Sequence, residues 1–450
     1  MNVRIDHIRE AMEGVIPGVM ATCSAEGEPN VAFLSQVQYV DRSHIALSYQ
    51  FFNKTRRNIL ANPYGQLTIV HPRTAQIYRL RLHYLRTESS GPLFERMKAH
   101  LEGIASHTGM SGVFRLLGSD IYEVLNVEAL PGNTLPAPVP DRNHLSALRR
   151  CSERIAECAS LSALVDTTLD VLEQEMGIEH AIFLMLDESG TRLYTVGSRG
   201  YSTSGVGSEV ALGDGVIGVC AEAKSAIRVS WVTQAYRYSK AIRDVVLQDG
   251  IGRTLSTEIP YPGLADPHSQ LGLPLMQAGK VCGVLFVESN VDLRFSYDDE
   301  DTLAALAAQV AASMRALQEG GDGSIDAETP APQDSVVAAP PPAQSLRVRC
   351  FRESRSIFFD DTYIIKGVAG AILWHLLQEY VRDGRTEFSN REIRLNPDLG
   401  LPDVVDNLEA RLVLLRRRLA DQAMGIAIEK CGRGRLRLSV QGSVELKQVD

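Results

Sequence analysis

Between Gln318 and Ser345 the chain offers almost nothing that a folded core could use. Gly320-Gly321-Asp322-Gly323 gives way to Thr329-Pro330-Ala331-Pro332 and then to Ala339-Pro340-Pro341-Pro342. Proline removes a backbone donor, glycine is costly to order, and apolar residues do not recur at helix or strand spacing. The segment therefore reads as a flexible linker with a semi-stiff extended end, which uncouples whatever follows it. A shorter proline-rich joint runs from Pro131 to Pro140. At 450 residues the chain is too long for one core. The two joints divide it into units at 1–131, 144–317 and 346–442, with connections at 132–143 and 318–345.

Composition narrows the class. The sequence contains no uninterrupted apolar run of about 18 residues, so no membrane span is expected. The opening Met1-Asn2-Val3-Arg4-Ile5-Asp6-His7 lacks the basic start and apolar stretch of an export signal, and a cytoplasmic protein is expected. Seven scattered cysteines do not make a disulfide framework. The net charge of -9 disfavours polyanions as general partners, but it is unevenly spread. From Ser345 to Asp450 there are 18 Lys/Arg against 15 Asp/Glu, and between Asp406 and Arg437 there are 8 against 4.

That basic excess sits on a definite pattern. Leu408, Leu412, Leu415 and Leu419 recur at spacings of three and four, which predicts a helix with a buried seam and a cationic rim. Ile426-Ala427-Ile428 and Leu436-Arg437-Leu438-Ser439-Val440 alternate like strands, and the glycines between them predict a hairpin bearing Arg433 and Arg435. A basic helix followed by a basic hairpin is the arrangement with which a winged helix grips DNA.

The first unit is strand-rich. Gly18–Cys23, Asn30–Val37, His44–Tyr49 and Gln66–Val70 alternate, and tight turns between them suggest an antiparallel barrel. After the third strand comes Tyr49-Gln50-Phe51-Phe52-Asn53-Lys54-Thr55-Arg56-Arg57-Asn58, where a helix is expected to start near Thr55. Helix-start N–H groups with Lys54 and Arg57 would seat a phosphate. This order, with the Asn-Lys-Thr-Arg and Asn62-Pro63 landmarks, resembles the pyridoxamine 5′-phosphate oxidase-like split barrels over about residues 5–130. The resemblance implies a homodimer holding FMN, with Ser48, Asn53, Lys54, Thr55 and Arg57 around its phosphate. The Arg-x-Val-Leu-Leu-Lys segment of the true oxidases is replaced here by Val31-Ala32-Phe33-Leu34-Ser35-Gln36. Related split barrels bind haem or a deazaflavin, with His83, His100 and His107 as the histidines that could reach iron; surface or hydrogen-bonded roles compete for each.

In the middle unit a helix is expected from His144 to about Met176, strands at Ala181–Leu186 and Lys280–Val287, and a helix from Asp298 to about Leu317, giving an α+β domain. The Gly213-Asp214-Gly215-Val216-Ile217-Gly218 turn, Leu273-Pro274-Leu275-Met276 and Gly283–Glu288 resemble a GAF domain, which implies a small-molecule pocket. Trp231, Tyr236, Tyr238 and Tyr261 are its candidate lining, with core packing as the competing role. Cys151 and Cys158, seven apart on the expected helix, with Cys220 and Cys282, raise a minor iron–sulfur alternative that lacks any Cys-x-x-Cys spacing. No catalytic set and no metal site is assigned.

The order of elements from Leu346 to Val440, with Leu415-Arg416-Arg417-Arg418-Leu419, resembles the OmpR/PhoB-type winged helix. That resemblance implies contacts to double-stranded DNA from Arg411, Arg416, Arg417 and Arg418 on the helix and from Lys430, Arg433 and Arg435 on the hairpin. The competing role for these cations is solvation or pairing to Asp406, Glu409 and Asp421. The combined expectation is a cytoplasmic transcription regulator that senses a small molecule or redox state. The alternative is a flavin-dependent oxidoreductase with appended regulatory domains.

Overall fold

The computed structural model describes residues 3–12, 16–34, 36–49, 53–107, 116–137, 142–187, 189–230, 259–322, 345–352, 354–399, 408–432 and 434–449. The first unit opens with a 3-10 helix, Ile5–Met12. It continues through β1 (Gly18–Cys23), β2 (Pro29–Leu34), β3 (Val37–Tyr39), β4 (His44–Tyr49), α1 (Asn53–Ala61), β5 (Tyr64–Val70), β6 (Ile77–Glu88), α2 (Pro92–His107) and β7 (Gly118–Ala129). The strands form one antiparallel sheet in the order β2-β1-β5-β6-β7-β4-β3. It curls so that residues from both ends, Leu34 and Val37, meet Met20, Leu47, Leu67, Leu80 and Tyr122 in a single core. The expected Asn30–Val37 strand is in fact two, and α1 begins at Asn53. The long strands β6 and β7 were not among the expected ones, although Arg79-Leu80-Arg81-Leu82-His83 of β6 alternates and buries both leucines.

The middle unit contains α3 (His144–Ala156), α4 (Leu161–Gln174), β8 (His180–Leu186), β9 (Arg192–Arg199), β10 (Glu209–Ala211), α5 (Gly215–Ala223), β11 (Ile227–Val229), β12 (Ser269–Gln277), β13 (Lys280–Ser289) and α6 (Tyr297–Asp322). The one helix expected over 144–176 is broken in two. Ser160 adopts an extended backbone and its side chain accepts the amide of Ala163, capping α4 as a separate helix. The sheet runs β10-β9-β8-β13-β12-β11 and is antiparallel throughout. Alternation along β8 sends Ala181, Phe183 and Met185 into one apolar cluster and Ile182 and Leu184 into another. The first cluster is covered by α3, α4 and α6; the second by α5, with Ala99 of α2 reaching in from the first unit. Each large side chain buried this completely contributes on the order of 2 kcal/mol.

The tail contains β14 (Ser345–Phe351), β15 (Ser356–Phe359), β16 (Thr362–Ile365), α7 (Gly367–Asp383), β17 (Glu387–Ser389), α8 (Asn390–Leu395), α9 (Leu408–Gln422), β18 (Ile426–Gly432), β19 (Arg435–Val440) and β20 (Ser443–Val449). β14 to β16 form a four-stranded sheet with β20, which pairs parallel to β14 beyond residue 442. β17, β19 and β18 form a second, three-stranded sheet. The linker begins later than the glycines suggested, because α6 continues to Asp322. Nor is the tail uncoupled, since its core residues from Val348 to Leu438 join the same apolar cluster as α3, α4 and α6.

Ser296 and Asp299 form a capping box at the start of α6. The Asp299 amide donates to Ser296 Oγ at 3.1 Å and the Ser296 amide donates to Asp299 Oδ2 at 2.9 Å. Asp299 also meets His144 Nε2 at 3.0 Å and Arg294 Nη1 at 3.8 Å. Burial pushes this carboxyl up, but the Ser296 amide, His144, the Ser296 hydroxyl and Arg294 outweigh it and hold the pKa below the ordinary aspartate value. A lowered carboxyl contributes stability that is present above the unfolded pKa of about 3.9 and is lost as pH falls through the folded value. Asp299→Ala should therefore cost roughly 1–3 kcal/mol at neutral pH, and the gap from the parent should close below about pH 4 in denaturant titrations.

Candidate functional site

The first unit's site forms where β4 stops at Tyr49 and α1 starts at Asn53. Among the expected phosphate ligands, Lys54 and Arg57 are exposed on α1, and Lys54 Nζ lies 3.9 Å from Glu28. Thr55 is buried and its hydroxyl accepts from Asn30 Nδ2 at 2.9 Å. Asn53 opens the helix, and its side chain lies outside the described residues. Ser48 is buried on β4 and borders the same small cavity as Thr55. Two of the five expected residues are thus brought together, while Lys54 and Arg57 stand at the surface.

What the region builds instead centres on Arg56, which sequence reasoning passed over. Its Nη1 donates to Thr87 Oγ1 and to Asp120 Oδ1, each at 2.6 Å, and its guanidinium lies over the rings of Tyr49 and Tyr84 at 4.8 and 5.6 Å. Thr87 also bonds Asp120, and Tyr84 OH lies 2.7 Å from Thr87 Oγ1. The only sequence signal was a third cation between Lys54 and Arg57; its partner stands 64 residues away on β7. Beside this network is a cavity of about 20 Å³ bordered by Ser48, Thr55, Met20, Ile59 and Tyr122.

Ser48 belongs to a second polar row. It lies opposite Ser119 in the β4–β7 register, and its amide donates to the carbonyl of Gln36. Gln36 Oε1, Ser48 Oγ and Ser119 Oγ are all buried without a hydrogen-bond partner among the described residues. Gln36 Nε2 lies 2.7 Å from His100 Nδ1, and His100 Nε2 lies 2.9 Å from the Arg228 carbonyl. Burial pushes His100 below its ordinary pKa, so the ring is neutral, accepting at Nδ1 and donating at Nε2. His100 is therefore occupied at both nitrogens. His83 pairs with Glu123 at 3.7 Å and stacks on Tyr64, and the His107 side chain lies outside the described residues.

In the middle unit Trp231, Tyr236 and Tyr238 lie outside the described residues, while Tyr261 is 38% exposed and covers Gly263. The polar centre that is described is Glu288, 2% exposed at the end of the apolar run of β13. It accepts from Tyr201 OH at 3.0 Å, the Leu264 amide at 2.7 Å and Gln270 Nε2 at 2.9 Å. Burial and the neighbouring Glu288 push the Tyr201 phenol far up, so it stays a donor. The cysteines do not assemble. Cys158 falls in the break after α3 rather than on one helix face with Cys151, and its thiol points back to the Arg154 carbonyl. Burial raises Cys151 to about 11 and Cys282 to about 12, and raises Cys220 further, the opposite of what a ligating thiolate requires. No group of three potential metal ligands occurs among the described residues.

In the tail, the seam of Leu408, Leu412, Leu415 and Leu419 is buried as expected, but Arg411, Val413 and Leu414 are buried too. The cationic rim is therefore not free. Arg411 lies over the Tyr194 ring at 4.8 Å, and Arg416 Nε donates to the Ile428 carbonyl at 3.1 Å. Arg418 donates to the carbonyls of Ile364 and Tyr363, both at 3.0 Å. Arg417 crosses to the middle unit, reaching Asp166 at 2.8 Å, the Val196 carbonyl at 3.1 Å and the Ser162 carbonyl at 3.2 Å. On the hairpin Arg435 is exposed, Lys430 is exposed with Glu409 at 3.6 Å, and Arg433 lies outside the described residues.

Replacing Arg56 with alanine should leave Asp120 buried without its cation and destabilise the first unit by roughly 3 kcal/mol, seen as an earlier unfolding transition; Arg56→Lys should recover only part of it.

Comparisons with known proteins bear on two of the three units. A pyridoxamine 5′-phosphate oxidase family model matches residues 5–109, and a GAF domain model matches residues 158–315. No curated protein matches the chain. Similar solved structures include the GAF domain of an Acinetobacter phosphoenolpyruvate-protein phosphotransferase, with 25% identity over 40% of this chain and 97% of that one at a TM-score of 0.31. A free methionine-R-sulfoxide reductase from Neisseria meningitidis has 18% identity over 41% and 96%, at a TM-score of 0.32. An FMN-binding protein from Syntrophomonas wolfei has 15% identity over 28% and 86%, at a TM-score of 0.25. The chain thus joins an N-terminal domain of the pyridoxamine 5′-phosphate oxidase type to a GAF domain.

Proposed function

We propose that this chain is a sensory regulator in which a flavin-type barrel and a GAF pocket govern a C-terminal winged-helix unit that contacts double-stranded DNA. The observation that carries the output is the tail's order. Three strands, α7, β17, α8 and α9 lead directly into the hairpin β18–β19, which carries Lys430 and Arg435 toward solvent. The first two units supply the input, a small molecule or a redox change.

FMN is the proposed cofactor of the first unit. The residues fit its phosphate: the start of α1, where a helix directs N–H groups outward, stands next to the exposed cations Lys54 and Arg57. The 20 Å³ cavity is far too small for a flavin ring, so the ring would rest outside it. A second copy of the chain would complete that seat, and Val31 and Phe33, 64% and 69% exposed on the outer face of β2, offer apolar surface for such a homodimer. When bound, FMN supplies a ring that accepts and returns electrons. The protein's part is to hold the phosphate with Lys54 and Arg57 and to keep Arg56 fixed on Asp120 behind them. Haem fits less well, because the nitrogens of His100 are already engaged.

No helix among the described residues is long and apolar enough to cross a membrane. A cytoplasmic setting is part of the proposal.

Two measurements test the reading. FMN titrated into the purified chain should quench its own fluorescence on binding, and Lys54→Ala or Arg57→Ala should each weaken that binding about tenfold or more. Duplex binding should fall steeply with salt, and Lys430→Ala and Arg435→Ala should each reduce the log–log slope by about 0.9. Salt-independent binding, or none, would count against the DNA output. Steady turnover of a reduced nicotinamide would favour the oxidoreductase reading instead.

A further inference from the structure

We propose that the GAF domain clasps α9 and holds the tail closed, so that duplex DNA and the GAF sheet compete for the same helix. The inference rests on the DNA reading for its output, but the clasp itself rests on geometry. A helix entering the major groove must present one unobstructed side with its cations outward. α9 has no such side: from Leu408 to Leu415 every residue except Glu409 is buried, and its fully exposed positions are Ala420 and Asp421. One flank packs on its own sheet and α7, the other on α4 and β9 of the GAF domain.

Arg417 is the centre of the clasp. An arginine that binds a DNA backbone meets an anionic oxygen and a fan of further acceptors. Here Asp166 and the carbonyls of Ser162 and Val196 take those places. The seat exists because residue 197 is glycine: a Cβ there would stand 2.4 Å from Arg417 Nη1. Around it, Arg411 stacks on Tyr194, Asp421 bonds Ser204, and Lys366 Nζ lies 2.9 Å from Glu209. These contacts match charges the two parts carry in sequence, a tail with a cationic excess against acidic preceding units.

The same strand offers a route for the signal. β9 turns Tyr194 and Val196 toward α4 and α9, and Leu193 toward the cluster under α5. A ligand held on the α5 side would therefore press on the strand whose other face holds Arg411 and Arg417.

The test uses the full chain and substitutions at residues outside the proposed DNA contacts. Asp166 is 59% exposed, and Asp166→Arg sets a cation against Arg417 without entering the core. Glu209→Lys does the same against Lys366, and adding Lys366→Glu to it re-forms the pair with signs exchanged. Hydrogen exchange across residues 408–422 should rise in both single variants and return toward the parent in the double one. Affinity for duplex DNA should rise roughly tenfold in the single variants at fixed salt. Unchanged exchange in both single variants overturns the clasp and leaves the DNA reading untouched. Raised exchange without salt-sensitive duplex binding overturns the DNA reading, and the gate with it.

Discussion

A sheet that is apolar on both faces has to be covered twice, and the middle of this protein is such a sheet. β8 buries five residues in succession, Ala181 to Met185, and β13 buries six, Gly283 to Glu288. Runs of this kind lack the alternation of a half-exposed strand because neither face meets water. The domain's own helices cover much of both faces but not all. Ala99 of α2 completes the cluster under α5, and the tail's leucines extend the cluster over α4 and α6. The order of three domains around one sheet follows from that requirement rather than from the linkers.

Both joints pair cations with rings and carboxylates. Toward the first unit, Arg9 lies between the rings of Tyr39 and Tyr297 at 5.1 and 4.6 Å while pairing with Asp301, and His100 reaches the Arg228 carbonyl. Arg228 is itself 8% exposed and fixed by Glu300 at 2.7 Å, whereas Asp301 is 63% exposed. Toward the tail, apolar burial is supplemented by Arg417 with Asp166, itself 59% exposed, and by Lys366 with Glu209. Pairs with a partner in water contribute about 0–1 kcal/mol and weaken with salt at either joint.

Much of the fold was legible locally. The strands Gly18–Cys23 and His44–Tyr49, and the hairpin after α9, lie where alternation and glycine placed them. The break between α3 and α4 was also written, in Ser160 before an apolar run, but a continuous helical spacing on either side concealed it. The site was less legible because its chemistry is long-range. Lys54 and Arg57 were proposed from the helix start, whereas Arg56 became the organising residue of the observed network through Asp120, Thr87 and Tyr84, none of them adjacent to it in sequence.

The tail shows how a correct pattern can support an incomplete conclusion. Leucines at three and four predicted a buried seam, and the arginines between them predicted a rim, as if water lay beyond it. The neighbour beyond the rim is protein. Val413 and Leu414 fill the space that a one-sided helix would leave open, and their burial is the clue that α9 has two partners. A helix buried all round with arginines at its edge has to give each guanidinium acceptors, because an unpaired buried cation is costly. Backbone carbonyls supply most of them, at Ile428, Ile364, Tyr363, Val196 and Ser162. Carbonyls are fixed dipoles without net charge, so they satisfy the guanidinium donors without neutralising them. Arg416 and Arg418 bind carbonyls of the tail itself and would remain shaped by its fold. Arg417 takes its acceptors, Asp166, Ser162 and Val196, from the other domain, as Arg411 takes the ring of Tyr194, so these two tie the helix across the joint.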